Sequence, residues 1–255
     1  MTTKPTAQSH FEKPTPLSRW DTILAAALGL LALALYVRTL APGLLDGDAG
    51  EFQFAAWGFG LAHPTGYPLY LILGGVWQHG LALFGADPAW ALNLFSAVTA
   101  ALTVALLFVT MRKIIPGPAG VSRGVALFSA ALFAVNPTVW SQALIAEVYA
   151  LHGLLMVLIL LAALRWDGSM GRTALLAGLV GLGLAHHRTT VFVIPGVLLA
   201  VWLICAGVGQ PAGSWTRLER AKMWRLWVGA GLAVSLPQLL YLYIPLRGTP
   251  SASPW

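Results

Sequence analysis

Eight long apolar runs are laid end to end through this chain, over residues 21–40, 69–85, 90–111, 121–135, 143–164, 174–186, 191–208 and 226–245. They constrain the fold more than any other feature. A helix needs about 20 mostly apolar residues to cross hydrocarbon, and lipid tolerates only backbones whose hydrogen bonds close internally. The expectation is an all-α polytopic membrane protein. With 58% hydrophobic and only 9% charged residues, against about 25% charged in a soluble domain, a soluble enzyme, a disordered chain and a secreted disulfide scaffold are excluded. The formal charge of +6 comes without a basic, aromatic-studded stripe, so no nucleic-acid partner is expected. Cys205, the single cysteine, lies inside an apolar run and has no thiol to pair with.

The basic residues sort the runs by side. If the 69–85 run crossed, Arg112, Lys113 and Arg123 would fall outside, against the cytoplasmic preference of Lys and Arg. That run is also short and carries Gln78, His79 and Gly74-Gly75, which suit a re-entrant or juxtamembrane helix in the first external loop. About seven transmembrane helices then remain, with a disordered cytoplasmic tail over 1–20, a membrane module over 21–250 and a short tail over 251–255. Twelve of the fifteen basic residues end inside, leaving Arg38, Arg188 and Arg247 outside. The outer face collects Asp46, Asp48, Glu51, Asp87 and Glu147. Within the longest outer connection, 41–68, residues 51–62 predict a short helix that turns Phe52, Ala55, Ala56, Phe59 and Leu61 to the headgroups.

Chemistry is therefore sought outside. Asp48 and Glu51, three apart before an apolar stretch, form a capping-box signature; a carboxylate at a helix N-terminus is also kept ionised, as a general base for a hydroxyl must be. His63-Pro64-Thr65-Gly66-Tyr67-Pro68 is a proline-fixed turn on the same loop, with an imidazole and a phenol at the water surface. Asn136-Pro137 reads as a helix stop. Glu147, next to Val148 and Tyr149, falls in the first turns of a span, where ionisable groups usually face an interior cavity. His186 and His187, being adjacent, point to different helix faces and make a poor metal pair. Arg188 and Arg247 either snorkel to headgroups or bind phosphate, which guanidinium geometry suits. Gly178, Gly181 and Gly183 read as close helix packing.

Five motifs stand in a familiar order: Asp48-x-Gly50-Glu51-Phe52; His63-Pro64-x-Gly66-Tyr67-Pro68-Leu69-Tyr70; Trp140-Ser141-Gln142 with Glu147-Val148-Tyr149-Ala150-Leu151; Gly181 to His186-His187-Arg188-Thr189; and Tyr243-Ile244-Pro245-Leu246-Arg247. Over about residues 20–250 the chain resembles the family that includes the vertebrate protein O-mannosyltransferases of plexin-type receptor domains. That family is similar to the GT-C glycosyltransferases, multi-span enzymes that use a polyprenyl-phosphate sugar. Thr65 stands where the family often has a second proline. Members continue with further spans, so this chain is expected to be the N-terminal part of a longer architecture.

The resemblance implies a GT-C-like fold, juxtamembrane helices in the first external loop, and an outer-leaflet site for a lipid-linked sugar. It makes Asp48 the catalytic base, Glu51 its motif partner and Glu147 a second acid. The expected reaction is inverting transfer, with mannose the expected sugar, to a hydroxyl of a protein or glycan acceptor. His63, Tyr67, Glu147 and Tyr149 are expected to hold acceptor or sugar, and His186, His187, Arg188 and Arg247 the lipid phosphate. A divalent metal bridging Asp48 and Glu147 is chemically conceivable, but monophosphate-lipid donors do not require one and none is predicted. The expected location is a bacterial-type plasma membrane, N-terminus cytoplasmic, active face external. The rival readings are a transporter or lipid-handling protein in which Glu147 lines a pathway, and a non-catalytic fragment.

Overall fold

A computed structural model describes residues 16–206 and 223–248. The expected 251–255 tail, most of the expected N-terminal tail and most of the basic 217–225 loop lie outside these residues. Among the described residues every regular element is a helix.

In chain order these are α1 (Arg19–Arg38), α2 (Gly47–Trp57), α3 (Pro68–Ala82), α4 (Pro88–Ile114), α5 (Ala119–Ala134), α6 (Pro137–Ala143), α7 (Val148–Leu164), α8 (Met170–His186), α9 (Ile194–Cys205), α10 (Met223–Ser235) and α11 (Tyr243–Arg247). Short 3-10 helices over Arg188–Val193 and Leu236–Leu242 lead into α9 and α11. Proline opens α3, α4, α6 and α9, where its missing N–H costs nothing. Asp87 caps α4 by accepting from Trp90 N at 2.9 Å, and Asn136 caps α6 by accepting from Thr138 N at 3.0 Å. Asn136-Pro137 therefore ends one helix and starts another, with a bend of 61° between α5 and α6.

The 27-residue α4 is the axis of the bundle, flanked by α1, α5 and α7. Its seam is made of small side chains: Ala97, Ala100 and Ala101 meet Ala25 and Ala32 of α1 and Ala126, Ala130 and Ala134 of α5. Small residues let helix backbones approach where lipid supplies no hydrophobic drive. Gly181 follows the same logic: a Cβ there would sit 2.5 Å from the Val234 carbonyl oxygen of α10.

Four segments are long and apolar enough to cross a membrane: Arg19–Arg38, Pro88–Ile114, Arg188–Cys205 and Met223–Arg247. The bent α5–α6 pair makes a fifth, and α7 and α8 are apolar but 17 residues each, about 26 Å at 1.5 Å per residue. α3 satisfies neither description.

The loop between α1 and α3, expected to be external, departs from expectation in instructive ways. The cap of α2 is Asp46, not Asp48, which instead occupies the first turn. Phe52, Ala55 and Ala56, expected to face headgroups, are buried against Tyr70, Leu71 and Leu92. The apolar face seeks protein because α3 folds back onto it. Gly75 makes that contact: a Cβ there would lie 2.5 Å from the Ala56 carbonyl oxygen. Gln78, read as a sign of an interfacial helix, is wholly buried and donates to the carbonyls of Gln53 and Pro88, each at 3.0 Å. Gln53 in turn donates to Asn93 Oδ1 at 2.8 Å, so α2, α3 and the start of α4 form one bonded block.

The expected start of the first helix moves as well. α1 begins at Arg19, because Ser18 and Asp21 form a capping box in which Ser18 N donates to the Asp21 carboxylate at 2.7 Å. Arg112, counted as a loop charge, is fully buried at this end of the bundle and bonded to Asp21.

Candidate active site

Asp48, Glu51, His63, Tyr67, Glu147, Tyr149 and His187 gather at one end of the bundle, opposite the Asp21–Arg112 end. The first layer is α2 and the turn after it. Gly50 sets its geometry: a Cβ at this position would stand 2.0 Å from the Leu45 carbonyl oxygen, so only glycine lets the loop close over the first turn of α2. That closure fixes Asp48 and Glu51 on adjacent turns. Glu51 uses both carboxylate oxygens on His63, accepting from its backbone N at 2.7 Å and lying 2.6 Å from its Nδ1. With its Nδ1 against Glu51, the His63 ring holds its Nε2 away from that carboxylate. Phe52 supports the pair from below, with ring centroids 5.4 Å from His63 and 5.3 Å from Tyr67. Asp48 is exposed and makes no hydrogen bond or ion pair among the described residues. It is the free carboxylate of the group.

Ligand atoms of Asp48, Glu51 and His63 lie within 4.8 Å of one another. That is close enough to share a cation, which would have to compete with the proton between Glu51 and His63.

The second layer comes from α7 and α8. Glu147 is not inside a helical turn, as expected, but is the half-buried N-cap of α7, with its backbone N directed at Ser96 Oγ at 3.4 Å. Burial pushes its carboxyl pKa up, and the Asp48 charge pushes the same way. Tyr67 is raised too, first by burial and then by the facing Tyr149, Asp48 and Glu147. These shifts show that loop and helix ends face the same space.

A raised carboxyl pKa has a stability consequence with a definite sign. The folded protein holds the Glu147 proton more tightly than the unfolded chain, so Glu147 weakens the fold as pH rises through its pKa. Glu147→Gln is expected to raise the thermal midpoint at pH 8. The gain disappears as the pH falls well below the ordinary glutamate pKa, where the wild-type carboxyl is protonated in both states; equal midpoints at pH 8 would contradict the assignment.

The two histidines divide. His186, expected at the surface to meet phosphate, is fully buried and lies 2.9 Å by Nε2 from the Val148 carbonyl oxygen. It ties the end of α8 to the start of α7 and does not stand where a phosphate would reach it. His187 is half-exposed beside Tyr149 and Tyr67, at 5.7 and 6.3 Å between ring centroids. Arg188 is exposed and has no ion pair among the described residues. Arg247 donates to the carbonyls of Phe59 and Gly58 at 2.5 and 2.9 Å. Two of its donor groups thus hold α11 against the outer loop, as does Tyr243 through its hydroxyl to Gly60 O at 3.0 Å. Sequence reading missed His152, one turn into α7, whose Nε2 lies 3.0 Å from Thr189 Oγ1. Its signal was the spacing from Glu147 and Tyr149, which brings it to the same helix end.

An all-helical bundle with an acid-bearing, helix-containing loop after α1 and cationic groups gathered at the same end defines a polytopic helical membrane protein with its polar groups collected at one end. The fold agrees with the solved Saccharomyces cerevisiae protein O-mannosyltransferase Pmt1-Pmt2 complex bound to the sugar donor, at a TM-score of 0.69 and 16% identity over 92% of this chain and 35% of that one. Residues 48–206 match the family described as the protein O-mannosyl-transferase TMEM260 N-terminal domain, and the chain belongs to it. It is 27% identical to the mouse protein O-mannosyl-transferase TMEM260 over 228 residues, 87% of this chain and 30% of the relative. The Dictyostelium discoideum counterpart is 23% identical over 185 residues, 67% of this chain and 22% of that protein. The chain thus spans under a third of the length of these relatives.

Proposed function

We propose that this chain is the membrane module of an inverting glycosyltransferase that moves a sugar, mannose by the family reading, from polyprenyl phosphate to a hydroxyl of a protein acceptor. In this reading seven helices cross (α1, α4, the α5–α6 pair and α7 to α10), residues 21–250 form one module, and the active face is outside a plasma membrane. The acceptor oxygen attacks the anomeric carbon, the bond from that carbon to the phosphate oxygen breaks, and the acceptor proton passes to Asp48. Polyprenyl phosphate leaves with its charge held by His187 and Arg188.

The observation that carries the proposal is the contrast between Asp48 and Glu51. Glu51 is fully engaged with His63, while Asp48 faces the same space as Glu147 and Tyr67 with its carboxylate unoccupied. An apolar cleft of about 420 Å³ between α8, α9 and α10 supports the lipid-linked donor, since Leu184 and Ile194 at its outer end flank the turn that carries His187 and Arg188. The test is reconstitution into liposomes with radiolabelled polyprenyl-phosphate mannose and a Ser/Thr-containing peptide. Donor-dependent labelling of the peptide is expected; a wild-type protein that leaves the donor intact would sink the reading.

A further inference from the structure

Three groups from two helix ends meet in a hydrogen-bonded row. Thr189 Oγ1 lies 2.7 Å from His187 Nδ1 and 3.0 Å from His152 Nε2, and Thr189 N is 3.4 Å from the same His187 Nδ1. The proton positions follow from what each atom is able to do. A backbone N–H only donates, so His187 Nδ1 is an acceptor. The Thr189 hydroxyl, pointed at that same acceptor, donates its proton there and keeps its oxygen free to accept. His152 Nε2 must then supply the next proton, which leaves His152 Nδ1 bare. That atom is indeed buried without a hydrogen-bond partner, a position where a lone pair is tolerated better than a stranded N–H.

We infer that His152 and Thr189 are positioning residues that lock His187 in the tautomer with its proton on Nε2, presenting a fixed N–H donor to the phosphate of the lipid-linked sugar. The identity of that anion rests on the glycosyl-donor reading above; the tautomer does not. Burial also lowers the His187 pKa, which favours the neutral ring, and with Nδ1 accepting from Thr189 its donor is Nε2–H. His187 therefore serves as a directed donor beside the full charge of Arg188. With its Nδ1 occupied by Thr189, it is unsuited to act as a base.

Nitrogen NMR of histidine-labelled protein in nanodiscs reads the tautomer directly, with the His187 signal assigned by its loss in His187→Asn. Wild type is expected to show a bare Nδ1 and a protonated Nε2. Thr189→Val, which keeps the shape and removes the hydroxyl, is expected to give an exchanging mixture, and Thr189→Ser the wild-type pattern. A protonated Nδ1 in wild type, or no change in Thr189→Val, overturns the lock.

Binding of polyprenyl monophosphate in phosphatidylcholine nanodiscs tests the ligand. Thr189→Val and His152→Phe are expected to weaken it about tenfold, as for one hydrogen bond to a charged group. Thr189→Ser and His152→Gln, whose amide nitrogen replaces Nε2, are expected to restore it. Unchanged affinity in folded Thr189→Val overturns the positioning role. An equal tenfold effect on phosphatidylglycerol binding overturns the donor phosphate as the ligand in favour of a lipid headgroup. If peptide labelling fails while the tautomer is as expected, the glycosyl-donor reading falls and the lock stands.

Discussion

Asp48→Asn is expected to lower the rate of sugar transfer by about 10²–10⁴-fold, the range for loss of a positioned general base, while leaving the protein as stable as wild type. The two halves of this expectation come from one observation. Asp48 is exposed and unbonded among the described residues, so its amide replacement breaks no contact of the folded state. What it loses is the ability to take a proton from the acceptor oxygen. Its neighbours give the controls. Asp46, the cap residue, makes no side-chain cap hydrogen bond, and Asp46→Asn is expected to stay within about twofold, as for ordinary surface changes. Glu51→Gln is different in kind, because an amide nitrogen replaces one of the two oxygens that hold His63 N and Nδ1 before α3. It should raise KM for the acceptor along with lowering kcat. Transfer by Asp48→Asn within threefold of wild type would rule Asp48 out as the base.

How far the sequence foretold this site depended on what each residue's neighbours in space turned out to be. The convergence of Asp48, His63, Glu147 and His187 on one end followed from helix direction, because apolar run length and the side preference of arginine order the chain ends without knowledge of contacts. The stop at Asn136-Pro137 was readable because caps and prolines act locally, whereas the start of α4 at Pro88, two residues before the apolar run, was not read. What was not readable were outcomes of tertiary packing. Nothing local distinguishes an amphipathic helix facing headgroups from one covered by a later helix, and α2 proved to be covered by α3 through Gly75 and Gln78. His186 and His187 are indistinguishable in sequence, yet the α8 end turns one to the Val148 carbonyl and the other to the site. The Ser18-x-x-Asp21 box, not read in the sequence, marks the true start of α1. The partner that buries Asp21 lies 91 residues away, beyond any local signal.

That distant pairing gives the largest expected effect on stability. The Asp21 carboxylate is 1% exposed and accepts from Arg112 Nε at 2.8 Å, from Arg123 Nε at 3.0 Å and from Ser18 N at 2.7 Å, while Arg112 itself is 0% exposed and also donates to Ser122 Oγ. It joins the starts of α1 and α5 to the end of α4. Breaking such a buried pair by removing its carboxylate takes an ion-pair partner from the desolvated Arg112 guanidinium, a change that costs about 3–5 kcal/mol. Asp21→Ala is therefore expected to unfold at a markedly lower temperature in detergent than wild type. Arg123 is 28% exposed, so water takes up part of its partner's role, and Arg123→Gln should cost no more than about 1 kcal/mol. Salt separates the two contributions further, since exposed pairs are screened and buried ones much less so. The double replacement Asp21→Leu with Arg112→Met removes both buried charges and should recover much of what Asp21→Ala loses. Because this cluster lies at the end of the bundle opposite Asp48, the rate of transfer per folded molecule should be unchanged in Asp21→Ala. The reverse holds for Asp48→Asn, which keeps its melting temperature and loses its rate. An Asp21→Ala protein that melts with wild type would mean that Arg112 is neutralised by another group and that the Asp21 pairing does not hold α1 to α4.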